Sequence, residues 1–199
     1  MEMINARGFD VEQLNLLIRT RRSVFPDQYV PAKRIPDDII SQLLENANWA
    51  PSHKLTEPWR FVVFAGEGLK KFAEFQSGLY KETAGEKFKQ AKYEKLLSTP
   101  LLCSHIIAIG MKRSGLVPEI EEVAAVACAV ENLFLSVNAY GLGGYWSTGG
   151  VTYAEGAKSF FGLDPTDKLL GFFYLGYIQV PSVAGIRKPV AEKTIWVSK

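Results

Sequence analysis

Between Pro118 and Tyr140 the chain carries one long helical pattern that is apolar almost all round, through Val123, Ala124, Val126, Ala127, Ala129, Val130, Leu133, Phe134 and Val137. Pro118 suits the entry to a helix, and Glu119, Glu121 and Glu122 put carboxylates at the positive end of its dipole. A helix without a polar face has to be surrounded by protein, so the fold is predicted to be organised around this segment. The same residues argue against a membrane span, which needs about 20 uninterrupted apolar positions; Glu131, Asn132 and Asn138 interrupt the run. The small Ala and Val positions also suit close packing between two subunits.

Shorter elements can be placed around it. Val11 to Thr20 reads as an amphipathic helix capped by Asp10, with Leu14, Leu16, Leu17 and Ile18 as its apolar positions. Phe25 to Ile35 is an extended, proline-marked connection. Pro36, Asp37 and Asp38 start a second helix with Ile39, Ile40, Leu43, Leu44 and Ala47 on its buried face. Glu57 to Ala65 is a first strand, stopped by Gly66 and Gly68. Leu69 to Leu97 reads as two solvent-facing helices broken near Gly78 or Gly85. Leu101 to Met111 has the continuous apolar pattern of a strand buried on both faces. Gly143 to Thr148 is a short strand, Ala154 to Phe161 a helix and Lys168 to Val180 a long aromatic strand. The polar tail from Pro181 to Lys199, with a last strand expected near Thr194 to Val197, is too poor in apolar residues to fold alone and is expected to lie over another surface.

With 199 residues, 47% of them hydrophobic, the chain can bury its own core and reads as one domain over 1–199 with a C-terminal arm at about 181–199. A net charge of +2 creates no field suited to nucleic acid or an anionic membrane. The lysines between Lys81 and Lys95 alternate with glutamates, as on a solvated helix face. Cys103 and Cys128 sit in apolar runs without metal-ligand spacing and read as buried thiols, which suits a reducing cytoplasm. No charged and apolar export pattern opens the sequence.

Four segments carry chemistry. Arg19, Thr20, Arg21, Arg22 and Ser23 gather three guanidinium groups and two hydroxyls, a set that matches phosphate oxygens, although arginines at a helix exit also complement its dipole in solvent. APSHKLTEPW, from Ala50 to Trp59, sets Ser52, His53 and Lys54 in a loop between two prolines. GLGGYWSTGG, from Gly141 to Gly150, lets backbone approach a flat ligand and offers the Ser147 and Thr148 hydroxyls. It has neither the spacing of a dinucleotide fingerprint nor the glycine frame of a serine-hydrolase elbow. Arg187 to Pro189 adds a late cationic group.

In this order, RRS, APSHK followed by PW, a long alanine-rich helix, GLGGYW and RKP resemble the FMN-dependent nitroreductase family, in its small single-domain branch, from about Leu14 to Val197. The resemblance implies an α+β fold, a mostly antiparallel central sheet wrapped by helices, with a domain-swapped C-terminal extension and a homodimer holding two FMN sites at its interface. It implies that Arg21, Arg22, Ser23 and Arg187 hold the flavin phosphate and ribityl chain. Trp49, Pro51, Ser52 and His53 would reach the other subunit's flavin, and Trp146, Ser147 and Thr148 would lie against the isoalloxazine ring. Larger members carry an asparagine and a glutamine before the PW pair where this chain has Leu55 and Glu57, so those amide contacts do not transfer.

The activity so implied is ping-pong: hydride passes from NADH or NADPH to the flavin, and electrons then pass to an electron-poor small molecule such as a nitroaromatic or a quinone. No metal is called for, and no side chain is required as nucleophile or obligatory acid. Enone reduction, dehalogenation or flavin fragmentation on the same scaffold, or a flavin-binding module without turnover, are the alternatives.

Overall fold

The structure is a computed structural model that describes residues 8–31 and 33–198. The expectation of no export signal therefore falls on residues 1–7, outside the described residues, as do Ala32 of the connection and Lys199 of the arm.

Helix α1 spans Val11–Thr20, and the Asp10 carboxylate caps it by accepting from the backbone N–H groups of Glu12 and Gln13. Helix α2 is Asp37–Asn48, β1 is Trp59–Ala65, α3 is Glu67–Thr83 and α4 is Gln90–Ser98. Strand β2 is His105–Met111, α5 is Glu119–Ala139, β3 is Leu142–Ser147 and β4 is Lys168–Tyr177. The sheet order is β1-β2-β4-β3, and every neighbouring pair is antiparallel.

Strand β2 is buried throughout. Its period of two sends Ile107, Ile109 and Met111 into a core with α2 and α5, while Ile106 and Ala108 face Phe72 of α3 and Phe161. The sheet is thus covered on both faces, with α5 on one and α3 on the other. Near the start of β4 the pairing with β2 slips by one residue after Ala108. Gly171 takes a φ of +123° there, and a Cβ on it would lie 2.4 Å from the Ser147 carbonyl oxygen. The bulge turns the Leu170 carbonyl to accept from the Trp146 indole at 3.1 Å, which fixes the end of β3. Tyr29 lies buried across Gly143 and Gly176, where added Cβ atoms would come within 2.7 and 2.4 Å of its ring. Its hydroxyl sits between the carbonyls of Val24 and Tyr174.

Several expectations need correction. Strand β2 begins at His105 because Thr99–Leu102 forms a 3-10 turn, and Glu155–Phe161 is 3-10 rather than α-helical. Strand β1 starts at Trp59 and β4 ends at Tyr177. The break after α3 uses Gly85, and Gly78 stays inside the helix. No strand forms at Thr194 to Val197; the arm holds one 3-10 turn, Val190–Lys193, and presents its apolar side chains outward. Helix α1 buries no residue, so Leu14, Leu16 and Ile18 are exposed. Helix α5 is covered on one side only, leaving Ala124, Ala127 and Cys128 open; Cys128 is an exposed thiol rather than a core one, because it lies on the face turned away from the sheet. Cys103 is buried, and burial pushes its thiol pKa far up.

Candidate functional site

Where α1 stops, the chain turns sharply and is held by its own arginine. The Arg22 guanidinium donates to the carbonyls of Arg19 and Arg21 at 2.7 and 2.6 Å. The arm crosses directly over it: a Cβ on Gly185 would come within 2.5 Å of Arg22 Cζ, so a larger residue there would push the guanidinium aside. The Ser182 hydroxyl pins the same crossing by donating to the Ser23 carbonyl at 2.9 Å. As a result Arg19, Arg21, Arg22 and Arg187 line one cavity of about 540 Å³, with Glu131 of α5 as the single carboxylate on its wall. Residues from the two ends of the sequence, 165 positions apart, meet there.

The cavity is cationic by more than composition. Arg21 stands over the Phe134 ring at 4.8 Å and approaches Glu131 at 3.8 Å, which orients its guanidinium but leaves most of its donors free. Arg22 Nε is buried without a hydrogen-bond partner. An unsatisfied buried guanidinium N–H is costly, and an anion entering the cavity would relieve it.

From the arginines the chain runs along the edge of the sheet. The Val24 N–H donates to the Gly144 carbonyl at 3.0 Å, and Phe25 packs on Tyr145 with ring centroids 4.5 Å apart. This leads to a second cavity, about 420 Å³, lined by Phe25, Tyr145, Ser147, Gly150 and Tyr174, and on its far wall by Gln76 of α3 and by Lys92 and Lys95 of α4. Of the β3 candidates, Ser147 lines this cavity, Thr148 is exposed beside it, and Trp146 points to the opposite face, where its ring packs against the α5 core. Phe25, Lys92 and Lys95 were not singled out by sequence. The two lysines read as part of a solvated face, and only the α3–α4 packing turns them to the cavity.

Trp49, Pro51, Ser52 and His53 lie elsewhere. His53 Nδ1 is 2.5 Å from a Glu121 carboxylate oxygen at the start of α5, and Lys54 donates to the Leu116 carbonyl at 3.4 Å. Glu121 and Glu131 are ten residues apart, about 15 Å along a helix, so one copy does not bring this loop to its own arginine cavity. Trp49 is 79% exposed. The loop also holds Lys54, Leu55 and Glu57 at φ values of +52°, +53° and +40°, three left-handed non-glycine residues in four positions. Such strain collects where a loop is built for a purpose other than its own stability.

A separate polar array ties α2 to β2. The Ser104 hydroxyl accepts from the Ile35 N–H at 2.6 Å, so its own proton goes to His105 Nδ1 at 2.8 Å. His105 Nε2–H then donates to Asp37 at 3.2 Å, and Asp37 also pairs with Arg34 at 2.9 Å. The Arg34 and His105 hydrogen bonds hold the Asp37 carboxyl below its usual range. Burial dominates at His105 and, despite Asp37, holds its pKa below the ordinary 6.5. A proton therefore binds the unfolded chain more readily, and this part of the stability is complete above about pH 6.5 and lost as pH falls below it. Denaturant unfolding is expected to show stability decreasing between pH 7 and pH 5, with His105→Gln flattening that slope; an unchanged slope would exclude His105 as its source.

Comparison with known proteins agrees with this architecture. The Nitroreductase family model matches residues 18–177. "Putative NAD(P)H nitroreductase YdjA" of Escherichia coli (strain K12) is 29% identical over 182 residues, covering 90% of this chain and 95% of that protein. The crystal structure of a nitroreductase-like family protein from Bacillus cereus superposes with a TM-score of 0.80 at 26% identity, covering 92% and 95% of the two chains. That of the FMN-dependent nitroreductase NfnB from Mycobacterium smegmatis, in complex with NADPH, has a TM-score of 0.72 at 18% identity and covers 95% and 100%. The α+β fold is thus nitroreductase-like. The chain belongs to the Nitroreductase family.

Proposed function

We propose that this protein is an FMN-dependent oxidoreductase that draws on NADH or NADPH and reduces an electron-poor small molecule. The observation that carries the proposal is the arginine cavity: four guanidinium groups from both ends of the sequence face one carboxylate, with a buried N–H left unsatisfied. That donor set fits a phosphate monoester, and family membership together with the FMN dependence of NfnB, whose structure is a complex with NADPH, makes a flavin mononucleotide the natural owner. When bound, FMN supplies hydride acceptance from the nicotinamide and electron delivery to the second substrate.

The protein's own residues do the rest. Arg21, Arg22 and Arg187 neutralise the phosphate, and Ser23 adds a hydroxyl beside them. Ser147 and Thr148, at the end of β3, border the flat ring together with the backbone of the glycine turn. Trp146 positions that strand end through its bond to Leu170 rather than touching the ring. Phe25 and Tyr145 provide an apolar wall that keeps water from the reacting face.

A homodimer completes the site. Val183, Ile186, Val190, Ile195, Trp196 and Val197 of the arm are each at least 76% exposed in one copy. Burying such a side chain contributes roughly 1.5–3 kcal/mol, so an arm exchanged onto a second copy is strongly favoured. The open Ala124, Ala127 and Cys128 stripe of α5 offers the facing surface, and across it the loop carrying Trp49, Pro51, Ser52 and His53 reaches the partner's flavin.

Among the described residues no helix is long and apolar enough to cross a membrane and no His, Cys, Asp and Glu group is arranged to hold a metal. The deciding test is the absorption spectrum of the pure protein before and after anaerobic NADPH, repeated with NADH. Flavin bands that bleach on addition are expected. A yellow protein that does not bleach would be a binding module, and a colourless one that takes up no added FMN would overturn the proposal.

A further inference from the structure

The cavity beside Ser147 has a volume of about 420 Å³, enough for a small aromatic ligand. Phe25, Tyr145 and Tyr174 give it aromatic walls: Tyr145 and Tyr174 stack at 6.0 Å, and Phe25, 47% exposed, turns its ring to the opening. On the opposite wall α4 contributes Lys92 and Lys95, one helical turn apart. Among the described residues neither ammonium has a carboxylate within ion-pair distance; Lys92 Nζ rests 4.5 Å over the Tyr80 ring. Asp27 lines the cavity too, so its wall keeps a net positive charge. Deeper in, Gln76 is 1% exposed; its Nε2 donates to the Leu96 carbonyl at 2.6 Å, and its Oε1 has no partner.

We propose that Lys92 and Lys95 make this cavity selective for an aromatic electron acceptor that carries an anionic group, a carboxylate or sulfonate on the ring. The proposal rests on the flavin reading above, which places the isoalloxazine beside Ser147. Two ammonium groups without a carboxylate partner, beside an aromatic wall, attract a ring-borne anion and leave an isosteric neutral ring without gain. The open Gln76 oxygen adds an acceptor for a donor group on the same molecule. A nicotinamide nucleotide with a 2′-phosphate carries the same anionic chemistry, so the test has to separate the two sources.

Flavin-loaded protein and its Lys92→Gln/Lys95→Gln variant should be titrated calorimetrically with 2-naphthoate and, as the neutral counterpart, 2-naphthamide. Wild type is expected to bind the carboxylate about tenfold more tightly, with the preference fading as salt rises and lost in the variant. The ratio of kcat/KM for 4-nitrobenzoate over 4-nitrobenzamide should fall by a similar factor. Equal binding of the two naphthyl ligands by wild type would overturn the proposal. So would a variant that keeps its acceptor preference but loses discrimination between NADPH and NADH, which would assign the lysines to the nucleotide. Failure to load flavin at the outset, seen before any ligand is added, would instead bring down the flavin reading itself.

Discussion

Arg21→Ala combined with Arg187→Ala is expected to leave the protein folded but almost free of FMN. A hydrogen bond to a charged group contributes about 1.5–3 kcal/mol, so losing one from each arginine costs roughly 3–6 kcal/mol of binding, or about 10²–10⁴-fold in Kd. The two substitutions differ in their side effects, which makes the experiment readable. Arg187 donates to its own Ile186 carbonyl and is exposed, so its loss should leave thermal stability unchanged. Arg21 also stands over Phe134 and beside Glu131, so its loss should lower stability by about 1 kcal/mol. Equilibrium dialysis against FMN checks the effect, and unchanged flavin occupancy in the double variant would remove both residues from the site.

Glu122→Ala is expected to be the most destabilising single change in α5. Glu122 is fully buried, and its carboxylate accepts from the Arg113 guanidinium, from the Ser114 N–H at 2.9 Å and from the Ser114 hydroxyl at 2.5 Å. Arg113 N–H in turn donates to Asp167, which also accepts from the Asp164 N–H. One carboxylate thus ties the 112–118 loop to the first turn of α5, where the dipole favours it, and through Arg113 to the turn before β4. Truncating it leaves the partly buried Arg113 guanidinium with only the longer 3.8 Å approach to Glu119 and the Ser114 N–H without its acceptor, a loss of about 3 kcal/mol. For a chain of this size that lowers Tm by roughly 10 °C, measurable by calorimetry. A Tm within a degree or two of wild type would show that the loop re-forms its bonds elsewhere.

The helices were legible because their signals are local. Asp10 before Val11, Pro36 before two aspartates and Pro118 before three glutamates each fix a helix start through caps and dipole, and each start lies within a residue of its predicted place. The β2 pattern was equally clear, since a strand covered on both faces has no polar alternation to confuse it. Misreadings came where burial depends on a distant neighbour. Cys128 sits in an apolar run, yet the sheet covers only one side of α5. Thr194 to Val197 has strand-like residues but lies in the exposed arm, away from the sheet, and pairs with neither of its edge strands, β1 or β3. The lysines of α4 are exposed, as a solvated face requires, but nothing in their spacing says that Lys92 and Lys95 also border the cavity of Phe25 and Tyr145.

By itself the sequence determined where helices begin, which strand is central, and which side chains could bind a phosphate, because caps, periodicity and guanidinium chemistry act within a few residues. Only the tertiary structure decided that Arg187 meets Arg21 and Arg22 in one cavity, since that meeting depends on the arm crossing, at Gly185, over a guanidinium more than a hundred residues away in the chain. It also decided that the His53 loop lies at the start of α5, away from that cavity, because about 15 Å of rigid helix separates Glu121 from Glu131.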